Sequence, residues 1–293
     1  MEDIITFERS MALSKMESTP NTAKKLVIFS DYGLDDAVAL IYLLHNRADY
    51  ELIDIVPVGG NVHPRTALIN ARRLLSEAEK EGISLRGVRI VNCAEYYQEW
   101  CVLPHIHGED GMGDILPQSD CSPVEEVAFE PWAESLEEGY RILSLGPCTM
   151  VKRTFAYSTA NPGGRILIMG GCVRETPNYK GREFNDGMDH DAFLWTLRRP
   201  HDLVALDTCR VPAFNLAGAR KAGKTLLDRL INRSVELSEA RHPDNCYIYD
   251  YIAAVALIHP ELFEIEKIYM PEICRDMTLL HLKEELKDRR DLL

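Results

Sequence analysis

The sequence predicts an α/β fold: a Rossmann-like, mostly parallel open sheet with helices on both of its faces. Three observations carry this prediction. Short apolar runs alternate with longer segments whose apolar residues recur at helical spacing. The 293 residues provide enough apolar side chains for one large core, and no Pro/Gly/Ser-rich linker divides the interior. We therefore expect one domain over residues 24–293, preceded by an N-terminal extension over residues 1–23.

The predicted strands and helices follow one another in regular order. The first unit pairs an apolar strand, Leu26–Ser30, with a helix predicted over Asp35–His45. Further strands are predicted at Glu51–Val58, Val88–Asn92, Arg141–Leu145, Arg165–Met169 and Leu203–Asp207, and further helices at Pro64–Lys80 and Cys148–Tyr157. Such alternation is typical of parallel strands joined by crossover helices. Ligands then bind beyond the carboxyl ends of the strands, where the connecting loops converge.

The charge balance excludes some classes of partner. Lys and Arg number 33 against 46 Asp and Glu, so the net charge of −13 repels nucleic-acid polymers and suits small neutral ligands or cations. The eight cysteines include no C-x-x-C pair and predict the reduced thiols of a cytoplasmic protein. Residues 1–23 contain early charges and no apolar stretch of signal-peptide length, and the sequence has no uncharged run long enough for a membrane helix, so we expect no membrane partner.

Three carboxylates stand together where the first predicted strand ends. Asp31 follows that strand directly, and Asp35 and Asp36 lie in the first turn of the helix after it. Either of the last two, taken alone, is explained by the preference of a helix N-terminus for negative charge, worth about 0.3–1 kcal/mol. A third carboxylate adds repulsion that a bound cation relieves. Oxygen ligands without a nearby pair of Cys or His favour a hard ion such as Ca²⁺.

The sequence around these carboxylates resembles a known family signature. The segment D-Y-G-L-D-D-A-V-A-L, which begins at Asp31, is similar to part of the D-x-D-P-G-x-D-D-A-x-A-L signature of the inosine-uridine-preferring nucleoside hydrolase family. The resemblance runs from Lys24 onward. Further matching segments, in the family's order, are V-G-G-N (58–61), H-I-H-G-E-D-G-M-G (105–113), M-G-G (169–171), E-F-N (183–185) and Asp250.

The resemblance implies an enzyme that hydrolyses the N-glycosidic bond of a ribonucleoside, giving free base and ribose. Such cleavage needs an activated water, a grip on the ribose hydroxyls and help for the departing base. The family's calcium ligands correspond here to the carboxylates of Asp31, Asp36 and Asp250 and the backbone carbonyl of Leu145. Calcium bound there would lower the pKa of a water and orient it, with Asp31 as the general base. A free nucleoside as small-molecule partner and a homo-oligomer are also implied.

The ribose contacts of the family also have counterparts in this sequence. They correspond to Asp35, Asn61, Glu183 and Asn185. Carboxylates and amides suit this role because they form paired hydrogen bonds with a diol. Judged without the resemblance, Asn61 fits a turn former, Glu183 a solvated loop charge and Asp250 the start of a helix.

Residues expected near the base show both a match and departures. His105 and His107 lie in a Gly-rich loop that can act as a lid, although an exposed loop with incidental histidines is the alternative. The first Asp of the family signature corresponds to Phe29 and its Pro to Tyr32, and a histidine of the family corresponds to Tyr249. A phenol at 249 is a candidate donor to the departing base, but with a pKa of about 10 it is a poorer proton donor than imidazolium. The nucleobase, common or modified, therefore stays open.

Two other kinds of function remain to be weighed. A non-catalytic nucleoside- or ribose-binding protein would keep the metal site without expelling the base, and product formation separates it from an enzyme. A phosphoryl-transfer enzyme with an aspartyl nucleophile fits less well, because Asp31 is followed by Tyr32 and Gly33 rather than by a second Asp, and no Walker-type lysine loop is present.

Overall fold

One sheet of nine strands organises the computed structural model, which describes residues 24–47, 50–118 and 122–289. The strands are β1 (Lys25–Ser30), β2 (Leu52–Pro57), β3 (Val88–Asn92), β4 (Glu125–Ala128), β5 (Arg141–Ser144), β6 (Ile166–Met169), β7 (His201–Val204), β8 (Phe263–Met270) and β9 (Arg275–Leu282). Their order is β4-β3-β2-β1-β5-β6-β7-β9-β8, and every neighbouring pair is parallel except the hairpin β8–β9. The predicted fold class is confirmed. The predicted extension over residues 1–23 lies outside the described residues.

Helices cover both faces of the sheet. They are α1 (Leu34–His45), α2 (Pro64–Lys80), α3 (Pro104–His107), α4 (Phe129–Glu134), α5 (Thr149–Tyr157), α6 (Phe184–Met188), α7 (His190–Leu197), α8 (Leu206–Cys209), α9 (Leu226–Glu239) and α10 (Tyr249–Ile258). Alternate residues of β1 enter different cores, because successive side chains of a strand point to opposite faces. Leu26 and Ile28 pack with α1, α2, α9 and α10, whereas Val27 and Phe29 pack with α4, α5 and α7.

The chain order creates a crevice beside β1. From β1 the chain builds the sheet through β2, β3 and β4 on one side and then returns to place β5 on the other side. Ligands of open parallel sheets bind at such a reversal of strand order, outside the carboxyl ends of the strands. Asp31 follows β1 and Leu145 follows β5, so the predicted metal ligands flank this crevice. In the described ranges no helix has the length and apolar content needed to cross a membrane.

One predicted element is partly wrong. The apolar run interpreted as a strand over Leu203–Asp207 is divided: β7 occupies His201–Val204, and Leu206 begins the short helix α8. The strand starts at a buried histidine whose Nε2 accepts a hydrogen bond from the backbone N–H of Thr278, 3.1 Å away. The hydrogen bond that lets this histidine be buried comes from a strand far away in the sequence, so the neighbouring residues do not reveal it. An apolar run also does not by itself distinguish a strand from a buried helical turn.

Candidate active site

A cleft of about 650 Å³ opens at the crevice beside β1. Its walls come from the loops after β1, β2, β5 and β6, from α6, and from the segment that joins α9 to α10. Among the predicted site residues, those that line it are Asp35, Asn61, His107, Leu145, Glu183, Asn185, Tyr249 and Asp250. Asp31 and Asp36 are buried directly behind this surface. The fold therefore brings together residues that are more than 200 positions apart in the sequence.

Four carboxylates form the deepest part of the site. Oxygens of Asp35, Asp36 and Asp250 lie within 4.8 Å of one another, a spacing that could hold a metal ion. Burial and the charge of Asp36 raise the pKa of Asp31 and of Asp250 well above the usual range. Burial and the charge of Asp35 raise the pKa of Asp36 to about 6. Negative charge is therefore concentrated in a site that solvent hardly reaches. The exposed fractions of its side chains are 1% for Asp31, 0% for Asp36 and 3% for Asp250.

Backbone and amide groups fix Asp31 in position. Its Oδ2 accepts a hydrogen bond from the backbone N–H of Asn61 at 2.8 Å, and its Oδ1 accepts one from the Asn61 side chain at 3.0 Å. Gly60 and Gly146 press on the carboxylate so closely that a Cβ on Gly60 would lie 1.9 Å from Oδ2. Asn61 therefore positions Asp31, in addition to facing the cleft where a ribose contact is predicted.

Asp36 has a structural role as well as a place in the cluster. It is the third residue of α1, and its Oδ2 accepts a hydrogen bond from the backbone N–H of Gly33 at 2.8 Å, which caps the helix. Its Oδ1 accepts one from the Ser30 hydroxyl at 2.7 Å. The preference of a helix N-terminus for a carboxylate thus explains part of its placement, but it does not explain why three more carboxylates lie around it, two of them buried.

Only one of the two loop histidines reaches the cleft. His107 is buried, and its Nδ1 accepts a hydrogen bond from the backbone N–H of Leu34 at 3.1 Å, so a neutral ring carries its proton on Nε2. Burial lowers its pKa, against the opposing charge of Asp35, whose Oδ1 lies 3.5 Å from Nδ1. His105 is exposed and does not line the cleft. Gly33 permits this approach, since a Cβ there would lie under 3.0 Å from Asn61, Asp35 and His107.

The wall formed by α6 is built from hydrogen bonds to backbone groups. Glu183 is buried and caps α6, accepting hydrogen bonds from the backbone N–H groups of Gly171, Asn185 and Asp186 at 2.9–3.1 Å. The interpretation of Glu183 as a solvated loop charge is therefore wrong. Burial raises its pKa to about 7, although these donors oppose the shift. The Asn185 amide donates to the carbonyl of Leu145 at 2.7 Å, which orients the carbonyl predicted to bind calcium.

The opposite wall carries aromatic and basic side chains. Tyr249, the first residue of α10, stacks on Tyr247 with ring centroids 6.5 Å apart, and its hydroxyl oxygen accepts a hydrogen bond from Nε of Arg210 at 3.3 Å. Burial raises the pKa of Tyr249, so its hydroxyl stays protonated. Arg210 and Arg241 also line this wall, and neither was predicted from the sequence. Arg210 follows α8 and Arg241 follows α9, so no local pattern relates either to Tyr249.

The acidic cluster has the chemistry of a site for a hard divalent cation. All its donors are oxygens, as Ca²⁺ requires. Asp35 Oδ1 is buried and has no hydrogen-bond partner among the described residues, so one ligand atom is free. Burial and the repulsion between neighbouring carboxylates raise the pKa of Asp31, Asp36 and Asp250, and a cation would relieve that repulsion. The residues present therefore fit such an ion.

Comparisons with known proteins bear on the family and the fold of this chain. The family profile described as "Inosine-uridine preferring nucleoside hydrolase" matches residues 26–291. The chain is 30% identical over 287 residues to uridine nucleosidase 1 of Arabidopsis thaliana, covering 88% of this chain and 82% of the relative. It is 25% identical over 278 residues to probable uridine nucleosidase 1 of Oryza sativa subsp. japonica, covering 87% of this chain and 84% of that relative. The solved structure of a purine-preferring ribonucleoside hydrolase from Gardnerella vaginalis has the same fold, with a TM-score of 0.67, 21% identity, and coverage of 92% of this chain and 98% of that one.

Proposed function

The chain belongs to the inosine-uridine preferring nucleoside hydrolase family, and from this premise we propose that it hydrolyses the N-glycosidic bond of a free ribonucleoside to base and ribose. The observation that carries the proposal is the buried carboxylate cluster at the floor of a cleft whose adjoining wall offers Glu183 and Asn185. A cleft of about 650 Å³ is large enough to admit a nucleoside. The net charge of the chain also suits a small uncharged substrate better than a polymer.

Asp31 is the proposed general base. Calcium held by Asp31, Asp36, Asp250 and the Leu145 carbonyl would supply positive charge that keeps these carboxylates ionised and makes a nearby water more acidic. An ionised Asp31 can then accept a proton from the water that attacks C1′ of the ribose. The two hydrogen bonds from Asn61 favour the charged form of Asp31 and prevent its rotation, which keeps the accepting oxygen in a fixed position.

The ribose is proposed to lie between the carboxylates and the α6 wall. Asp35 offers an oxygen without a partner, and Glu183 and Asn185 are held rigidly by their contacts with backbone groups. Such preorganised groups bind the sugar without losing further side-chain entropy, and they hold C1′ near the attacking water. His107, the last residue of α3, lines the same cleft and is proposed to exclude solvent from it.

Uridine is the first substrate to test, because the two sequence relatives described above are named uridine nucleosidases. The departures at Phe29, Tyr32 and Tyr249 keep modified nucleosides in the test. A non-catalytic nucleoside- or ribose-binding protein is the other candidate. A homo-oligomer and a cytoplasmic location remain predictions.

Incubation with a panel of common and modified nucleosides, with calcium present, tests the proposal. We expect equal amounts of base and ribose from at least one of them, and near-complete loss of that turnover in Asp31→Asn. Asp228→Asn, which changes a carboxylate at the exposed start of α9, is the matched control and should retain turnover. Binding of nucleosides without release of base would instead support the binding-protein alternative.

A further inference from the structure

The two sides of the cleft carry opposite charges. The floor and the α6 wall hold Asp31, Asp35, Asp36, Asp250 and Glu183. The wall around Tyr249 holds two guanidinium groups, Arg210 and Arg241. Breaking the bond between ribose and base leaves positive charge on the sugar and negative charge on the base. The acidic side of the cleft would therefore stabilise the sugar, and the side with the two arginines would stabilise the base. This assignment of the two sides rests on the proposed function.

The two arginines differ in their partners. Arg210 is held by Glu175, with Nη1 3.5 Å from a carboxylate oxygen, by the carbonyl of Thr176 at 2.8 Å, and by Tyr249. Arg241 is half-buried and donates Nε to the carbonyl of Leu237 at 3.2 Å. Within residues 24–47, 50–118 and 122–289, its guanidinium pairs with no carboxylate.

The unpaired state of Arg241 is not a general property of its surroundings. Arg220 lies near the same end of α9 and donates both Nη groups to Glu239. Burial lowers the pKa of Arg241, because its charged form is less well solvated there than in water. A half-buried cation without a counter-ion is stabilised by an anionic or electron-rich group of a ligand.

Arg241 stands beside the groups expected to meet the base. It follows α9, which packs against α3, the helix that ends at His107, and Tyr249 begins the next helix, α10. All three residues line the same cleft. Neither Nη group of Arg241 donates a hydrogen bond to a described residue, so both are free to bind a ligand.

We propose that Arg241 is a catalytic residue that stabilises the departing base as an anion by donating hydrogen bonds to a carbonyl oxygen of the base. In this step the C1′–N bond breaks and its electron pair stays on the base. The water oxygen bonds to C1′ and one of its protons goes to Asp31, which later releases it to solvent, and the departed base anion takes up a proton from solvent. Uracil suits this role because its anion spreads the charge over two carbonyl oxygens. Cytosine has an amino group in place of one of these carbonyls and forms a less stable anion, so cytidine is the poorer substrate.

Arg241→Met tests this role on two substrates that differ in the leaving group. With uridine we expect kcat to fall about 100-fold, the loss seen when one donor to a developing anion is removed. With 4-nitrophenyl β-D-ribofuranoside, whose leaving group is already a stable anion, we expect a loss of about tenfold or less. The ratio of kcat/KM for uridine to kcat/KM for cytidine should be smaller in the variant than in the wild type. Equal losses on both ribosides, or a change in KM alone, would overturn the proposal.

A matched variant and a binding measurement separate this role from a structural one. Arg220→Met removes an arginine from the same end of α9 outside the cleft and should leave both rates unchanged. Calorimetry with 5-nitrouracil, which is anionic at neutral pH, and with neutral uracil needs no turnover. We expect the wild type to bind the anion about tenfold more tightly and Arg241→Met to lose that preference. No preference in the wild type overturns the role of Arg241, whereas a preference without turnover on any nucleoside counts against the proposed function itself.

Discussion

Replacing Gly60 by alanine adds only one methyl group, yet it should strongly lower the rate of catalysis. In Gly60→Ala the added Cβ would lie 1.9 Å from Oδ2 of Asp31 and 2.7 Å from its Cβ and Cγ. Contacts of a Cβ below 3.0 Å are essentially never seen, so these atoms must separate by more than 1 Å. The backbone of Gly60 does not have a positive φ, so alanine itself introduces no strain there and the contact alone determines the outcome.

The surroundings decide which group moves. The backbone of Gly60 is held by its carbonyl, which accepts from the N–H of Cys101 at 2.8 Å, and by its N–H, which donates to Val62 at 3.3 Å. Rotation of Asp31 would break both hydrogen bonds from Asn61, at about 1.5–3 kcal/mol for each bond to a charged group. Overpacking costs about 1–3 kcal/mol. Because these costs are comparable, we expect both groups to shift, with a small loss of stability and a large loss of activity.

A displacement of about 1 Å of a catalytic group lowers rates about 100-fold. We therefore expect kcat/KM of Gly60→Ala on its best nucleoside to fall by about that factor, while calorimetry shows a melting temperature only a few degrees lower. Gly164→Ala is the control, because the atoms nearest its added Cβ belong to the flexible end of Arg141. Activity of Gly60→Ala within about threefold of the wild type, or an equal loss in Gly164→Ala, would refute the argument that Gly60 fixes Asp31.

Two further predictions concern the metal and the aromatic wall. Calcium should stabilise the fold, by about 2.7 kcal/mol when its free concentration is 100 times its Kd, and chelation should abolish turnover, because Asp31, Asp36 and Asp250 repel one another without it. An unchanged melting temperature after chelation, with no heat of calcium binding, would contradict this. Tyr249→Phe removes a hydroxyl that can donate to the base, so uridine should be cleaved at least about tenfold more slowly and a ribosyl nitrophenol hardly less well. Equal, small effects on both substrates would indicate that Tyr249 only packs against the wall.

The parts of the fold that local patterns control were predictable. The apolar runs of β1, β2, β3, β5 and β6 lie in the inner part of the sheet, where both faces are buried, and their short length and alternation with helical segments indicate strands. The inner strand β9 was not predicted, and neither were the edge strands β4 and β8. The edge strands are largely exposed and carry charged residues such as Glu125 and Glu264, and β8 is defined by antiparallel pairing with β9 rather than by burial.

The site followed the same division. Asp31, Asp35 and Asp36 were found because they follow a strand and start a helix, which the sequence reveals. Arg210 and Arg241 were not found, because they join Tyr249 only through the packing of α8, α9 and α10. Glu183 was found by resemblance, yet its burial depends on Gly171, 12 residues earlier in the chain. The local sequence therefore indicates where strands end and helices begin. It does not indicate which loops, distant in the sequence, line the same wall of the cleft.

Tyr32 has a consequence for engineering this protein. Replacing a residue by its family consensus is a common route to stabilisation, and here the consensus residue at this position is proline. Tyr32 has a φ of 57°, however, and proline is restricted to φ near −65°. The side chain is also fully buried, and its hydroxyl has no hydrogen-bond partner among the described residues. The loop that contains Asp31 and Gly33 therefore has a backbone conformation that proline cannot adopt. Introducing proline at position 32 would displace both neighbours instead of stabilising the fold.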